Sequence, residues 1–177
     1  MCNKLIKTSC VCVAVMAAFS CSVKNTAFLK QPKKKTEQIA QFKKGDLSYE
    51  VYRQYATGEN MQMAADPKQS PVRISIRIIN KGGNVSPLRA ISGNYETYNI
   101  NNDYLLNGAK NDIMLFVKGR LIYPSYYCFE NNYNAFPFET INLGYSLTTK
   151  QRKSPVQLIF VDKVFTQDSI FFNLNFK

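Results

Sequence analysis

Cys21 is the residue of this chain whose surroundings most clearly indicate a chemical role. Positive charges near the amino terminus precede the apolar run Val11–Phe19, and the small residue Ser20 lies directly before the cysteine. A positive end, an apolar middle and a small-residue cleavage site are the three parts of a secretory signal. The run has about half of the roughly 18 apolar residues that a spanning helix needs. We therefore expect a cleaved signal peptide over residues 1–20.

Cleavage before Cys21 would place a thiol and a free amine on the same residue. The thiol can take a diacylglycerol group as a thioether, and the amine can be acylated. Because each buried methylene contributes about 0.8 kcal/mol, several acyl chains on one residue hold a protein firmly at a membrane. We predict lipidation at Cys21. The alternative is an ordinary signal peptide with cleavage nearby and Cys21 as a plain thiol.

The segment after the cysteine is basic, and we predict a lipidated tether over residues 21–44. It carries seven lysines and one acid, whereas the chain from Gly45 onward has 14 basic and 11 acidic side chains. A basic segment beside a lipid can associate with anionic head groups, although a solvated linker is an equal alternative. Thr36 is expected to cap a short helix through Phe42. An exported chain without a recognition motif is not expected to bind nucleic acid.

Residues 45–177 show the period of two that is typical of half-buried strands. Apolar and polar residues alternate over Val72–Ile78 and again over Ile170–Phe176, and Val156–Val161 is a near-continuous apolar run typical of a central strand. About seven or more short strands predict a mainly β fold, a single antiparallel β-sandwich domain of immunoglobulin or transthyretin type. A small closed barrel is the alternative. Helical signal is confined to one or two turns at Asn101–Gly108.

The composition excludes the commonest catalytic and metal sites. The chain has no histidine, which removes the usual general base, the usual metal ligand and the Ser-His-Asp arrangement. Beyond the predicted signal and Cys21 only Cys128 remains, so no intrachain disulfide or common zinc site is expected, and Cys128 is predicted to be a buried thiol. We predict no catalytic, cofactor-binding or metal-binding residue, and no enzyme.

Carboxylates provide the one route left to catalysis. A pair converging in space could act as acid and base, which keeps a carboxylate-based hydrolase as a less favoured alternative. Asp162 and Asp168 flank a predicted loop between the last two strands. Carboxylates at such positions are expected to accept hydrogen bonds from turn amides.

The segment Tyr123–Phe138 contains seven aromatic residues, two prolines and three asparagines. Tyrosine joins a large apolar body to a hydroxyl group, which suits interfaces. The candidate partner-binding residues are Tyr123, Tyr126, Tyr127, Tyr133 and Phe136. Tyr133, among asparagines, is expected to be the most exposed. The alternative is that these rings close one end of the core, and the absence of tryptophan weakens a sugar-binding role for them.

The sequence Ala18-Phe19-Ser20-Cys21 resembles the relaxed lipobox of Bacteroidetes-type outer-membrane lipoproteins, with Phe19 as a departure from the preferred pattern. Ser22-Val23-Lys24-Asn25 lacks the acidic cluster that directs such lipoproteins to the cell exterior, which favours the periplasmic face of the outer membrane. The chain is also similar in organisation to small lipoproteins of secretion machines, such as the type VI envelope complex. The resemblance implies a non-catalytic lipoprotein that docks an envelope protein. A surface lipoprotein that binds glycan or peptide is the alternative.

Overall fold

A computed structural model describes residues 36–55 and 69–176 of the chain. The predicted signal peptide, Cys21 and the first part of the predicted tether lie outside these described residues. The strands, in chain order, are β1 Thr36–Lys44, β2 Leu47–Gln54, β3 Gln69–Asn80, β4 Ile113–Val117, β5 Arg120–Ile122, β6 Tyr126–Glu130, β7 Phe138–Thr148, β8 Val156–Val161 and β9 Ser169–Leu174. The α-helices are α1 Pro87–Ile91, α2 Tyr95–Asp103 and α3 Thr149–Arg152, with a π turn at Tyr104–Gly108 and a 3-10 turn at Ala109–Asn111.

The strands form two antiparallel sheets that share one core. The large sheet has the order β1-β2-β3-β7-β6, and the small sheet has the order β5-β4-β8-β9. Inner-face side chains of both sheets belong to one buried cluster. Tyr49 of β2 meets Phe160 of β8 edge to face across it, with ring centroids 6.3 Å apart. The prediction of a mainly β, sandwich-like single domain is confirmed, and its immunoglobulin or transthyretin type stays a prediction.

The alternating pattern of β3 places its side chains as expected. Ile74, Ile76 and Ile78 are buried in the core, and the residues between them point to the outer face of the large sheet. In β8 the nearly unbroken apolar run lies between β4 and β9, which confirms a central strand.

A buried carboxylate joins the two sheets. Asp162, only 1% exposed, follows β8 of the small sheet and accepts hydrogen bonds from the backbone N–H groups of Val164, Phe165 and Thr166 at 2.9–3.0 Å. The Thr166 hydroxyl donates a further bond, and the hydroxyl of Tyr49 in the large sheet donates one at 2.6 Å. The expected role of Asp162 as an acceptor for turn amides is confirmed. Asp168 forms an ion pair with Lys44 of β1 instead.

The expected helix from Thr36 through Phe42 is wrong, because these residues form β1. They pair with β2 from Thr36 opposite Gln54 to Lys44 opposite Leu47, with a bulge between Gln38 and Ala40. The edge of β2 supplies hydrogen-bond partners that local sequence cannot reveal, and Ala40 and Phe42 pack against the core. The described sandwich therefore includes the last nine residues of the predicted tether, and its first described strand begins before Gly45.

The connection between β3 and β4 is more helical than one or two turns at Asn101–Gly108. Helix α1 begins after Ser86, whose hydroxyl accepts from the N–H of Arg89, and α2 begins after Asn94, whose side chain accepts from the N–H of Thr97. These caps are visible in the sequence, but α1 is five residues long and α2 buries no side chain, so periodicity is weak. Within residues 36–55 and 69–176, no helix is long and apolar enough to cross a membrane.

Candidate functional site

The five predicted partner-binding residues do not form one surface. Alternation along β6 turns Tyr126 to the outer face of the large sheet and Tyr127 toward the core, where its hydroxyl donates to the carbonyl of Leu105. Tyr123 is exposed just after β5 of the small sheet. Tyr133, 81% exposed as expected, lies with Phe136 in the loop between β6 and β7. The aromatic segment is thus divided among both sheets and a loop.

A group of apolar side chains lies instead on the outer side of the small sheet, and we call it the apolar face: Met114, which is itself only 9% exposed, Phe116, Leu121, Ile159 and Phe171. The polar pair Gln157 and Asn173 borders this group on the same side of the sheet. Cross-strand register places Leu121 opposite Phe116, Met114 opposite Ile159, and Ile159 opposite Phe171. Phe116, Leu121 and Phe171 are 42%, 51% and 54% exposed. Sequence reasoning missed this face. Its signal was that the outward positions Met114 and Phe116 of β4 and Ile159 of β8 are apolar like the inward ones.

Basic residues occur in the two chain segments next to one end of the apolar face, and we call them the basic rim: Lys118 and Arg120 at the β4–β5 turn, and Lys150, Arg152 and Lys153 in and just after α3, which precedes β8. The turn Lys118-Gly119 joins β4 to β5, and both residues have the positive φ that a two-residue hairpin turn needs. Between this turn and the start of β8 lies a cleft of about 480 Å³, lined by Phe116, Pro155 and Val156 among others. Among the described residues that line this cleft there is no carboxylate.

The outer face of the large sheet has the opposite character, and its concave centre forms the polar groove. This groove has a volume of about 640 Å³, and its lining includes Tyr52, Gln54, Arg73, Ser75, Arg77, Tyr126, Glu130, Phe138, Asn142 and Gly144. Its floor is a chain of hydrogen bonds. The Ser75 hydroxyl donates to Asn142 Oδ1 at 2.5 Å, and Asn142 Nδ2 donates to Glu130 Oε1 at 2.7 Å. Gln54 donates to both Ser75 and Asn142.

Arg77 lies between two aromatic rings at one end of the groove. Its guanidinium carbon is 5.2 Å from the ring centre of Tyr52 and 4.6 Å from that of Phe138. Its Nε is buried without a hydrogen-bond partner among the described residues. Glu50 is opposite Arg77 in register but accepts from the Tyr52 hydroxyl at 2.6 Å and lies 3.8 Å from Lys81 Nζ. Burial and the bond to Glu50 raise the pKa of Tyr52.

The buried acids do not form a catalytic pair in the groove. A two-carboxylate hydrolase needs two acids flanking one site, and Glu130 is the one carboxylate in the described lining. Glu139 is buried on the inner side of β7, and burial raises its pKa although the N–H of Asn132 and the hydroxyl of Ser86 bond to it. Its Oε1 has no partner in the described part of the chain.

Residues 36–55 and 69–176 contain no cluster of three or more His, Cys, Asp or Glu arranged to hold a metal ion. Cys128, expected to be buried, is half-buried because it is on the outward-facing side of β6. Hydrogen bonding to Cys128 raises the pKa of the neighbouring Tyr126.

Comparison with known proteins finds no match for this chain: no family model, no curated protein and no solved structure is significantly similar to it. The physical features of its surfaces therefore carry the functional argument.

Proposed function

We propose that this protein is a non-catalytic, membrane-anchored lipoprotein that docks and tethers a protein partner in a cell-envelope assembly such as a secretion-system complex. Cys21 is the lipid anchor, and the sandwich is the docking module. The observation that carries the proposal is the apolar face, which spans the four strands of the small sheet and exposes Phe116, Leu121 and Phe171. Contiguous apolar patches on a folded chain mark interaction sites, whereas single exposed apolar residues do not.

The free energy available from covering this face is large. Fully burying a Leu or Phe side chain contributes about 1.5–3 kcal/mol. Phe116, Leu121 and Phe171 are each about half exposed. A partner that covers all three therefore gains a substantial part of this burial free energy from each of them. Aromatic side chains, including phenylalanine, are enriched in protein interfaces relative to the rest of the surface.

Charge defines the chemistry of the partner. The basic rim puts five basic residues in the segments next to one end of the apolar face, Lys118 lines the adjoining cleft, and this cleft has no acid in its described lining. A partner segment with apolar side chains flanked by Asp or Glu would complement both features, and the paired charges would speed association and fix register. We therefore assign the face to an acidic, apolar segment of an envelope protein.

The length of chain between the proposed anchor at Cys21 and the first strand limits how far the sandwich can lie from the membrane. From Cys21 to Thr36, where β1 begins, fifteen residues extend to at most roughly 50 Å at about 3.3 Å per residue. This length lets the sandwich work near the membrane surface. The non-acidic Ser22–Asn25 favours the periplasmic face of the outer membrane.

Photo-crosslinking in intact cells tests the proposal. A benzophenone amino acid replaces Leu121 or Phe171 in the apolar face, and Ile100, which is 62% exposed on α2, is the matched control position. We expect Leu121 and Phe171 to yield one discrete adduct whose crosslinked peptide is apolar and acidic, and Ile100 to yield none. Adducts to phospholipid alone, or the same adducts from all three positions, would contradict the proposal.

A further inference from the structure

We propose that the polar groove is a binding site for a short acidic oligosaccharide, one that carries a sugar carboxylate. This site is on the opposite side of the sandwich from the apolar face and does not depend on the docking function. The groove volume of about 640 Å³ lies within the range of small-molecule sites, which is about 300–1,000 Å³.

Arg77 supplies the charge that selects an acid. The described lining contains two arginines, Arg73 and Arg77, and one carboxylate, Glu130, whose Oε1 accepts from Asn142. No ion pair joins Arg77 to an acid among the described residues, and Glu50, opposite Arg77 in register, accepts from the Tyr52 hydroxyl instead. Stacking on Tyr52 and Phe138 holds the guanidinium in place before a ligand arrives. A carboxylate suits such a group because it can accept two parallel hydrogen bonds from it.

The floor suits sugar hydroxyl groups. The hydrogen bonds among Gln54, Ser75 and Asn142 do not use the amide oxygen of Gln54 or the second N–H of Asn142, which can bond to sugar hydroxyl groups. Their mutual hydrogen bonds fix the positions of these groups in advance, which lowers the ordering cost of binding.

The walls suit the apolar C–H faces of sugar rings. Tyr126 is 44% exposed at the edge of the groove, and Phe136 stacks on Phe138 with centroids 5.4 Å apart. Aromatic ring faces are electron-rich and apolar, so tyrosine and phenylalanine can take the stacking role in a chain without tryptophan.

Gly144 of β7 lies in the floor of the groove, opposite Arg73 of β3 on one side and Tyr126 of β6 on the other. A Cβ atom at this position would lie 3.0 Å from the Cβ of Tyr126. Glycine at this position therefore makes room for Tyr126, which also lines the groove.

The location of the groove favours a sugar over an acidic peptide. An extended peptide gains most of its affinity by pairing with an exposed strand edge. The groove lies across β3 and β7, which are paired on both sides within the large sheet. Only side chains can recognise a ligand there, and these carry the hydroxyl and amide groups described above.

Calorimetric titration of the full mature chain, made soluble by Cys21→Ser, tests the site. The probes are trigalacturonate, sialyllactose and a hyaluronan tetrasaccharide, with maltotriose as the neutral sugar and a triglutamate peptide as the acidic peptide. We expect at least one acidic sugar to bind at least tenfold more tightly than maltotriose and triglutamate. Failure of all three acidic sugars to bind, or tighter binding of triglutamate, would overturn the proposal.

Matched variants locate the binding. Arg77→Gln should weaken binding of that sugar at least tenfold, and Arg120→Gln, on the other sheet, should leave it unchanged. Arg77 already has Glu50 opposite it on β2, and Thr140→Glu adds a competing carboxylate opposite it on β7, which should abolish binding even if Arg77→Gln fails to fold. Equal affinity of wild type and Thr140→Glu would place the sugar elsewhere and overturn the assignment.

Discussion

The two outer faces of this sandwich differ in their side chains: those of the large sheet hydrogen-bond to one another, and those of the small sheet expose apolar surface to water. On the large sheet, Ser75, Asn142 and Glu130 hydrogen-bond to one another, so this face is stable in water as it stands. On the small sheet, Phe116, Leu121 and Phe171 have apolar surface that water covers at a cost in free energy. The first face is suited to a small polar ligand, and the second is suited to a protein that covers it.

The same contrast extends into the core. The inner side of the small sheet is apolar along both central strands, β4 and β8. The inner side of the large sheet includes Tyr49, Glu139 and Tyr145. The stability of the large sheet should therefore respond to polar substitutions and to pH more strongly than that of the small sheet.

The largest effect is expected at Asp162, which connects the two sheets. Asp162→Ala removes the acceptor of three backbone amides and of the Tyr49 hydroxyl. Since each buried unsatisfied donor costs about 1–3 kcal/mol, the free energy of unfolding should fall by at least about 3 kcal/mol. Urea denaturation of the wild type and the variant measures this difference in the free energy of unfolding.

Asp168→Ala is the matched control for that substitution. Asp168 is in the same loop, but its ion pair with Lys44 is exposed, and such pairs contribute about 1 kcal/mol or less. Equal losses from the two substitutions would show that Asp162 does not hold the sheets together.

A smaller effect is expected from the pH dependence of Glu139. Burial raises its pKa in the folded protein above the usual carboxyl value of 4.5. The unfolded chain then ionises this group more readily, so its contribution to stability is complete below that value and decreases as pH rises through the folded pKa. Glu139→Gln should flatten this decrease in denaturation curves taken from acid to neutral pH. An unchanged slope in this variant would mean that Glu139 is already ionised in the folded state.

Much of the fold could be predicted, because the alternation of apolar and polar residues along a strand shows which side chains are buried. Ile74 and Ile76, for example, were assigned to the core from their spacing alone, and the structure confirms it. Strand β1 could not be found in this way, since its partners are on the β2 edge and only part of it is half-buried. Helix α2 buries no side chain, so no apolar stripe marks it.

The candidate surfaces were harder to predict than the strands. The richness of residues 123–138 in aromatics suggested one interface, but alternation along β6 sends Tyr126 and Tyr127 to opposite sides of the large sheet. The tight β4–β5 hairpin brings Phe116 beside Leu121 locally. Phe171 of β9 joins this face only through β8, which pairs with both β4 and β9. Composition indicates which residues can bind, and the topology decides which of them meet.

The central claim is that the apolar face binds a protein partner. Its most direct test is the affinity of the crosslinked partner, once purified, for the mature chain carrying Leu121→Asp and Phe171→Asp together. Tyr95→Asp with Ile100→Asp, at exposed positions of α2, is the control. Because Leu121 and Phe171 are each about half exposed, losing both predicts a fall in affinity of about 10- to 100-fold, with no change in the control. Unchanged affinity in the Leu121→Asp, Phe171→Asp variant would contradict the account.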